Sequence, residues 1–272
     1  MKNIWIMTWF TLREAMARKV FLFFASISAV ILIIMAFVFG LMDKASFSFN
    51  LSGGAHLPYS NPITMIEMMI VSPLSSLCLL LAIFASASFV PVMLEKGNID
   101  LLLSKPVSRD QLLWGKYFGG ILVVLFNITF MVTGVWLIIS IKFSSWDFSF
   151  LSIILAITFT FAVLYSLIVL LGVITKGSTL GMMVAYLIFL ILSPILFLAK
   201  DKVVDFIQNR FLKSLIMGTY YLVPKTSELM GKIMSSLASG NRIEDYQPIL
   251  TSLAFLILTM GISISIFRKK DF

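Results

Sequence analysis

The chain is 272 residues long, 60% hydrophobic and 12% charged, with a formal net charge of +8. Soluble domains carry about 25% charged residues, so most of this chain must face lipid or other apolar helices, which excludes a water-soluble globular enzyme. The basic excess forms no soluble patch interleaved with aromatics, which argues against nucleic acid as a partner, and the single cysteine, Cys78, excludes an intrachain disulfide.

Residues 1–19 read as a helix lying in the membrane interface, an elbow leading into the first span. Trp5, Trp9, Leu12 and Met16 recur at spacings of four, three and four, which aligns them on one face. Arg13, Arg18 and Lys19 can snorkel to lipid headgroups. The uncharged run that follows, 20–42, is too long for a signal h-region and no small-residue cleavage site follows it, so it reads as an anchor.

Five more runs lack Asp, Glu, Lys, Arg and His: 68–94, 117–141, 148–175, 177–199 and 246–267. A helix needs about 20 residues at 1.5 Å each to cross the hydrocarbon core, and all six runs are at least 22 long. None alternates polar with apolar as a barrel strand would. Residues 45–66 are a loop instead, because Gly53, Gly54, Pro58 and Pro62 break any helix there and its backbone could not be satisfied in lipid. Glu67, at the entrance of the second span, reads as an interface-level carboxylate reaching water.

The second span carries Pro73 and Pro91 and the small residues Ala82, Ala85, Ser86, Ala87 and Ser88, which permit close helix packing. A charged amphipathic insert, 95–111, then separates spans two and three. Ile99, Leu102 and Leu103 fall on one helical face, Lys96, Asn98 and Asp100 stay wet, and Pro106 ends the short helix. Ser108 with Gln111 is a capping-box spacing that starts the third span, placed at 113–141. Only Thr175-Lys176-Gly177-Ser178 joins spans four and five, which makes them antiparallel neighbours. Pro194 should kink the fifth span. Within 200–245, two amphipathic stretches flank an apolar piece too short to cross, and they read as interfacial or re-entrant helices roofing the outer side.

The expected fold class is an all-α polytopic membrane protein: one domain, six transmembrane helices, an elbow helix, a helix in the insert between spans two and three, and outer helices before span six. Six spans put both termini on one side. Segments on that side hold 12 Lys and Arg in 47 positions, and the opposite segments hold 9 in 77. The denser side should be cytoplasmic.

The missing chemistry is equally informative. An ion-coupled carrier keeps ionisable residues inside the bilayer at a cost of roughly 3 kcal/mol or more, and the six runs contain none. No phosphate-cradling G-x-x-x-x-G-K-[ST] string occurs, and one His and one Cys with scattered carboxylates cannot build a metal shell. The expectation is a chain without catalysis, metal or cofactor of its own, driven through residues 95–111 by a soluble partner.

The pattern Glu95…Gly97…Leu101-Leu102-Leu103-Ser104-Lys105-Pro106-Val107-Ser108-Arg109…Leu113…Gly115-Lys116 resembles the first cytoplasmic loop of type-2 ABC exporter permeases. In that family a Glu, a Gly and a Leu-rich turn precede Pro-[VI]-[ST]-Arg and then a Gly-Lys pair. Asn98 departs from it, standing where the family often has Thr. The ending Phe267-Arg268-Lys269-Lys270-Asp271-Phe272 is similar to that of the branch resembling NosY. The resemblance implies a homodimer of permeases, or a pair with a relative, with two cytoplasmic ATPase subunits that hold the ATP and Mg, and a periplasmic accessory protein as a further partner. It implies that Glu95, Gly97, Ile99, Leu102, Leu103, Pro106, Arg109 and Lys116 belong to the coupling region, with the elbow face of Trp5, Trp9, Leu12 and Arg13 beside it. The place implied is a bacterial or archaeal inner membrane. The competing class is a membrane anchor or scaffold that recruits an ATPase or maturation factor without moving cargo.

Overall fold

A computed structural model of the chain describes residues 2–17, 19–41, 62–95, 97–99, 107–200 and 217–270. The described residues are helices and the links between them, with no strand. The elbow is α1 (Lys2–Ala17), followed by α2 (Val20–Leu41), α3 (Pro62–Ser86) and the short α4 (Phe89–Met93). The third span is α5 (Arg109–Phe143), and α6 (Ile153–Thr175) follows a 3₁₀ turn, Phe148–Ser152. The fifth span runs from α7 (Ser178–Leu187) through a π turn, Ile188–Leu192, into α8 (Ser193–Leu198). Beyond it, α9 (Thr226–Glu228), a second π turn at Leu229–Ile233 and α10 (Met234–Ala238) form one outer helix, and α11 (Gln247–Lys269) is the last span.

Six of these helical stretches are long and apolar enough to cross a membrane. Their burial is uneven. The fourth span is 78% buried within the chain, whereas the first and last are 22% buried. Span four is therefore the hub, and the outer spans give lipid their Leu22, Ile33, Phe37, Ile257 and Leu258 side chains. A bilayer supplies no hydrophobic drive between helices, so the hub is held by packing and a few buried hydrogen bonds. Tyr117 on α5 donates to the Ala162 carbonyl of α6 at 2.9 Å, and the Ser166 and Thr259 hydroxyls of α6 and α11 share a hydrogen bond of 2.7 Å.

The small residues of span two turn inward: Ala82, Ala85, Ser86 and Ala87 are all buried. Pro194, which lacks an N–H, stands in the first turn of α8 just after the π turn at Ile188–Leu192. The capping box at the start of α5 is present, with the Gln111 N–H donating to Ser108 Oγ at 3.3 Å and the Ser108 N–H donating to Gln111 Oε1 at 3.3 Å. At 35 residues α5 is about 52 Å long. A hydrocarbon core of about 30 Å leaves several of its turns outside lipid.

Candidate functional site

The two ends of the bundle differ in chemistry. At one end lie α1, the link after α4, the start of α5, the link from α6 to α7 and the end of α11. Lys2 and Lys270 both lie at this terminal end.

The link begins where the second span stops being straight. Ala87 and Ser88 form a turn between α3 and α4, and Pro91 of α4 packs toward Gly172 of span four. The chain then reverses at Glu95, whose carbonyl accepts from the N–H groups of Asn98 (3.1 Å) and Ile99 (3.2 Å). Gly97 makes the reversal at φ +91°, a conformation L side chains rarely adopt. Asn98 Nδ2 donates to the Val92 carbonyl at 3.0 Å and so ties the turn to the end of α4. Glu95, Gly97 and Asn98 are exposed, whereas Ile99 is 1% exposed and belongs to the core. Ile99 thus anchors the insert to the bundle, and Glu95 and Gly97 are what it presents to solvent. Leu102, Leu103 and Pro106 lie outside the described residues.

From Ser108 onward the insert is bound into the bundle by hydrogen bonds. Arg109 Nη1 donates to the carbonyls of Phe267 (3.2 Å), Arg268 (3.2 Å) and Lys270 (2.5 Å), the orphan acceptors at the end of α11. Arg268 returns a two-pronged contact to Asp110, with Nε donating to Oδ1 at 2.7 Å and Nη2 to Oδ2. Lys270 Nζ donates to the carbonyls of Val173 (2.7 Å) and Ile174 (3.2 Å) at the end of α6. The first turn of span three and the last turns of spans four and six are therefore one hydrogen-bonded unit. Burial and the neighbouring Lys176 charge hold the Lys270 ammonium below the usual lysine range.

The elbow completes this end. Two glycines one turn apart on α5 let α1 approach: a Cβ at Gly115 would lie 2.3 Å from Met7 Cβ, and one at Gly119 would lie 2.4 Å from Thr11 Cβ. Lys116, between them, is buried and paired with Glu14 of α1, its ammonium 5.8 Å from the Phe10 ring centre. Leu12 is buried, but Trp5 (65% exposed), Trp9 and Met16 face away from the bundle. The face that braces α5 is Met7, Thr8, Thr11 and Ala15, and the expected stripe of Trp5, Trp9, Leu12 and Met16 lies beside it with Leu12 at the border. Arg13 sits 5.7 Å over the Trp9 ring, outside the bundle, where a headgroup layer would be.

The opposite end holds a second polar cluster, which reading the sequence missed. Lys225 is 3% exposed, with Nζ 4.0 Å from the Tyr220 ring centre and 4.9 Å from that of Tyr221. Tyr220 donates to Glu228 Oε1 and accepts from Lys200 Nζ at 3.0 Å. A cavity of about 10 Å³ touches Ser193, Tyr220, Lys225 and Glu228, room for one water molecule. Burial lowers the Lys225 pKa and raises that of Tyr220, which the hydrogen bond to Glu228 raises further. Glu67, expected to reach water, is 1% exposed, and neither of its oxygens has a partner among the described residues. The signal in the sequence was Pro224, which breaks the helix ahead of Lys225 and Glu228, both of them buried.

The terminal end exposes a short link tied to α4, beside a hydrogen-bonded junction of α1, α5, α6 and α11. The opposite end buries Glu67, Lys225 and Glu228, while Lys232, Arg242, Glu244 and Asp245 stay exposed. Against known proteins, the family described as ABC-2 family transporter protein matches residues 6–272. No curated protein matches the chain.

Proposed function

The chain belongs to the ABC-2 family of transporter proteins, and on that footing we propose that it is the membrane-spanning permease subunit of an ATP-driven exporter. Two cytoplasmic ATPase subunits, which carry the ATP and Mg, dock on residues 95–111 of a permease homodimer. The terminal end faces the cytoplasm of a bacterial or archaeal cell, and the ending Arg268-Lys269-Lys270-Asp271-Phe272 supports a place in the NosY-like branch with a periplasmic accessory protein.

The observation that carries the reading is the bonding of residues 108–116 to α1 and α11, with Lys270 tying the end of α11 to α6. When the ATPases close on ATP, they push an insert whose C-terminal side cannot move alone. The elbow, span three and the bonded ends of spans four and six move together, and the bundle rocks between states open to either side. Ile99 holds the insert's N-terminal side to the core, so the push is not lost in a loose loop.

The test is coupled turnover of the permease with its ATPase in vesicles. Leu102→Asp and Leu103→Asp should each abolish the stimulation of ATP hydrolysis while the complex still assembles. Undiminished coupled turnover in both variants would overturn the coupling assignment. A permease that binds the ATPase yet never alters its rate would be a membrane scaffold instead.

A further inference from the structure

We propose that a groove between α2, α3 and α7 at the terminal end binds an anionic phospholipid from the leaflet on that side. The groove has a volume of about 450 Å³, within the roughly 300–1,000 Å³ typical of ligand sites and far beyond a solvent pocket. Phe84 and Met182 wall it, Ala85 leaves its floor open, and Lys19, Ser88 and Ser178 line it with polar groups. These three come from three separate places in the chain: the corner before span one, the break in span two and the first turn of span five. All three places lie at the terminal end, where a headgroup would sit above its chains. Among the described residues, no Asp or Glu lines the groove.

Lys19 supplies the charge, and its backbone holds it there. It adopts φ +57° at the corner between α1 and α2, a left-handed conformation that costs an L residue energy. Its N–H closes the last turn of α1 on Met16 (3.2 Å), and its carbonyl accepts from Phe23 in the first turn of α2 (2.9 Å). The corner's backbone is held from both sides, which keeps the Lys19 Cα beside the groove. The Lys19 ammonium is exposed and makes no ion pair or hydrogen bond with the described residues. A lone cation over an apolar groove at headgroup depth complements a lipid phosphate with negative net charge.

The full chain, purified in detergent and mixed with phosphatidylglycerol or phosphatidylcholine of identical chains, tests this by native mass spectrometry without any ATPase. The parent should retain phosphatidylglycerol in preference, and Lys19→Gln should cut that preference about fivefold. Ala85→Phe, which fills the groove, should lower retention of both lipids. Equal retention of the two lipids by the parent, or a preference that survives Lys19→Gln, would overturn the proposal. So would an Ala85→Phe chain that changes its oligomeric state and keeps its lipid, since the groove would then be a seam between copies.

Discussion

Lys116 lies in the terminal half of the third span with its ammonium buried, and it is tolerated there because Glu14, 102 positions earlier, meets it. Breaking a buried ion pair from one side is costly because the remaining charge stays out of water. Glu14→Gln should therefore lose about 3–5 kcal/mol of stability, and the double variant Glu14→Leu, Lys116→Leu should recover most of it. Thermal unfolding in detergent reads both. The glycines flanking Lys116 obey a steric rule. Gly119→Val forces α1 away from α5 and should cost about 1–3 kcal/mol, whereas Gly261→Ala, with nothing within 4 Å of the new Cβ, should be neutral or slightly stabilising in the same melt. None of this was legible residue by residue. A Lys in a family-like loop motif reads as a partner contact, and only the fold brings Glu14 to it. Lys225 and Glu228 were missed for the same reason: alternating charge looks like a wet face, and the Tyr220 ring that buries Lys225 comes from the preceding helix.

At the scale of elements, local signals survived the step from sequence to structure best. The capping box is an i, i+3 relation and was in the sequence, whereas Pro194 announced a kink and not the π turn that stands before it. The basic ending read as an orientation signal and as a resemblance to one branch of the family. The backbone bonds that join these ends, from Lys270 to the carbonyls at the end of α6 and from Arg109 of α5 to those at the end of α11, have no side-chain acceptor to spot in a sequence, since every helix end offers carbonyls. Lys270→Ala should loosen the end of α6, and Arg109→Ala the end of α11. Amide hydrogen exchange should quicken in those last turns and stay unchanged in α9 and α10 at the opposite end. Uniform protection in both variants would mean that the ties carry no strength. The elbow shows how a face can be half right: Leu12 packs inward while Trp5 and Trp9 remain on the lipid side, because the glycines of α5 draw the Met7–Thr11 face and not the largest side chains.

For the whole molecule, six apolar runs were enough to fix the class, because a bilayer sets span length directly. Which span is central was not legible, since the fourth run is no more apolar than the first, with mean hydropathy 2.6 against 2.8, yet it is the most buried. The central claim is that work enters through the exposed turn at Glu95–Asn98. The most direct measurement places a photo-crosslinking amino acid at Asn98, and in a second chain at Ser239 on the opposite end, in cells that express the ATPase. Irradiation should join the Asn98 chain to the nucleotide-binding partner and leave the Ser239 chain free of it. An ATPase adduct at Ser239, or none at Asn98, would contradict the account.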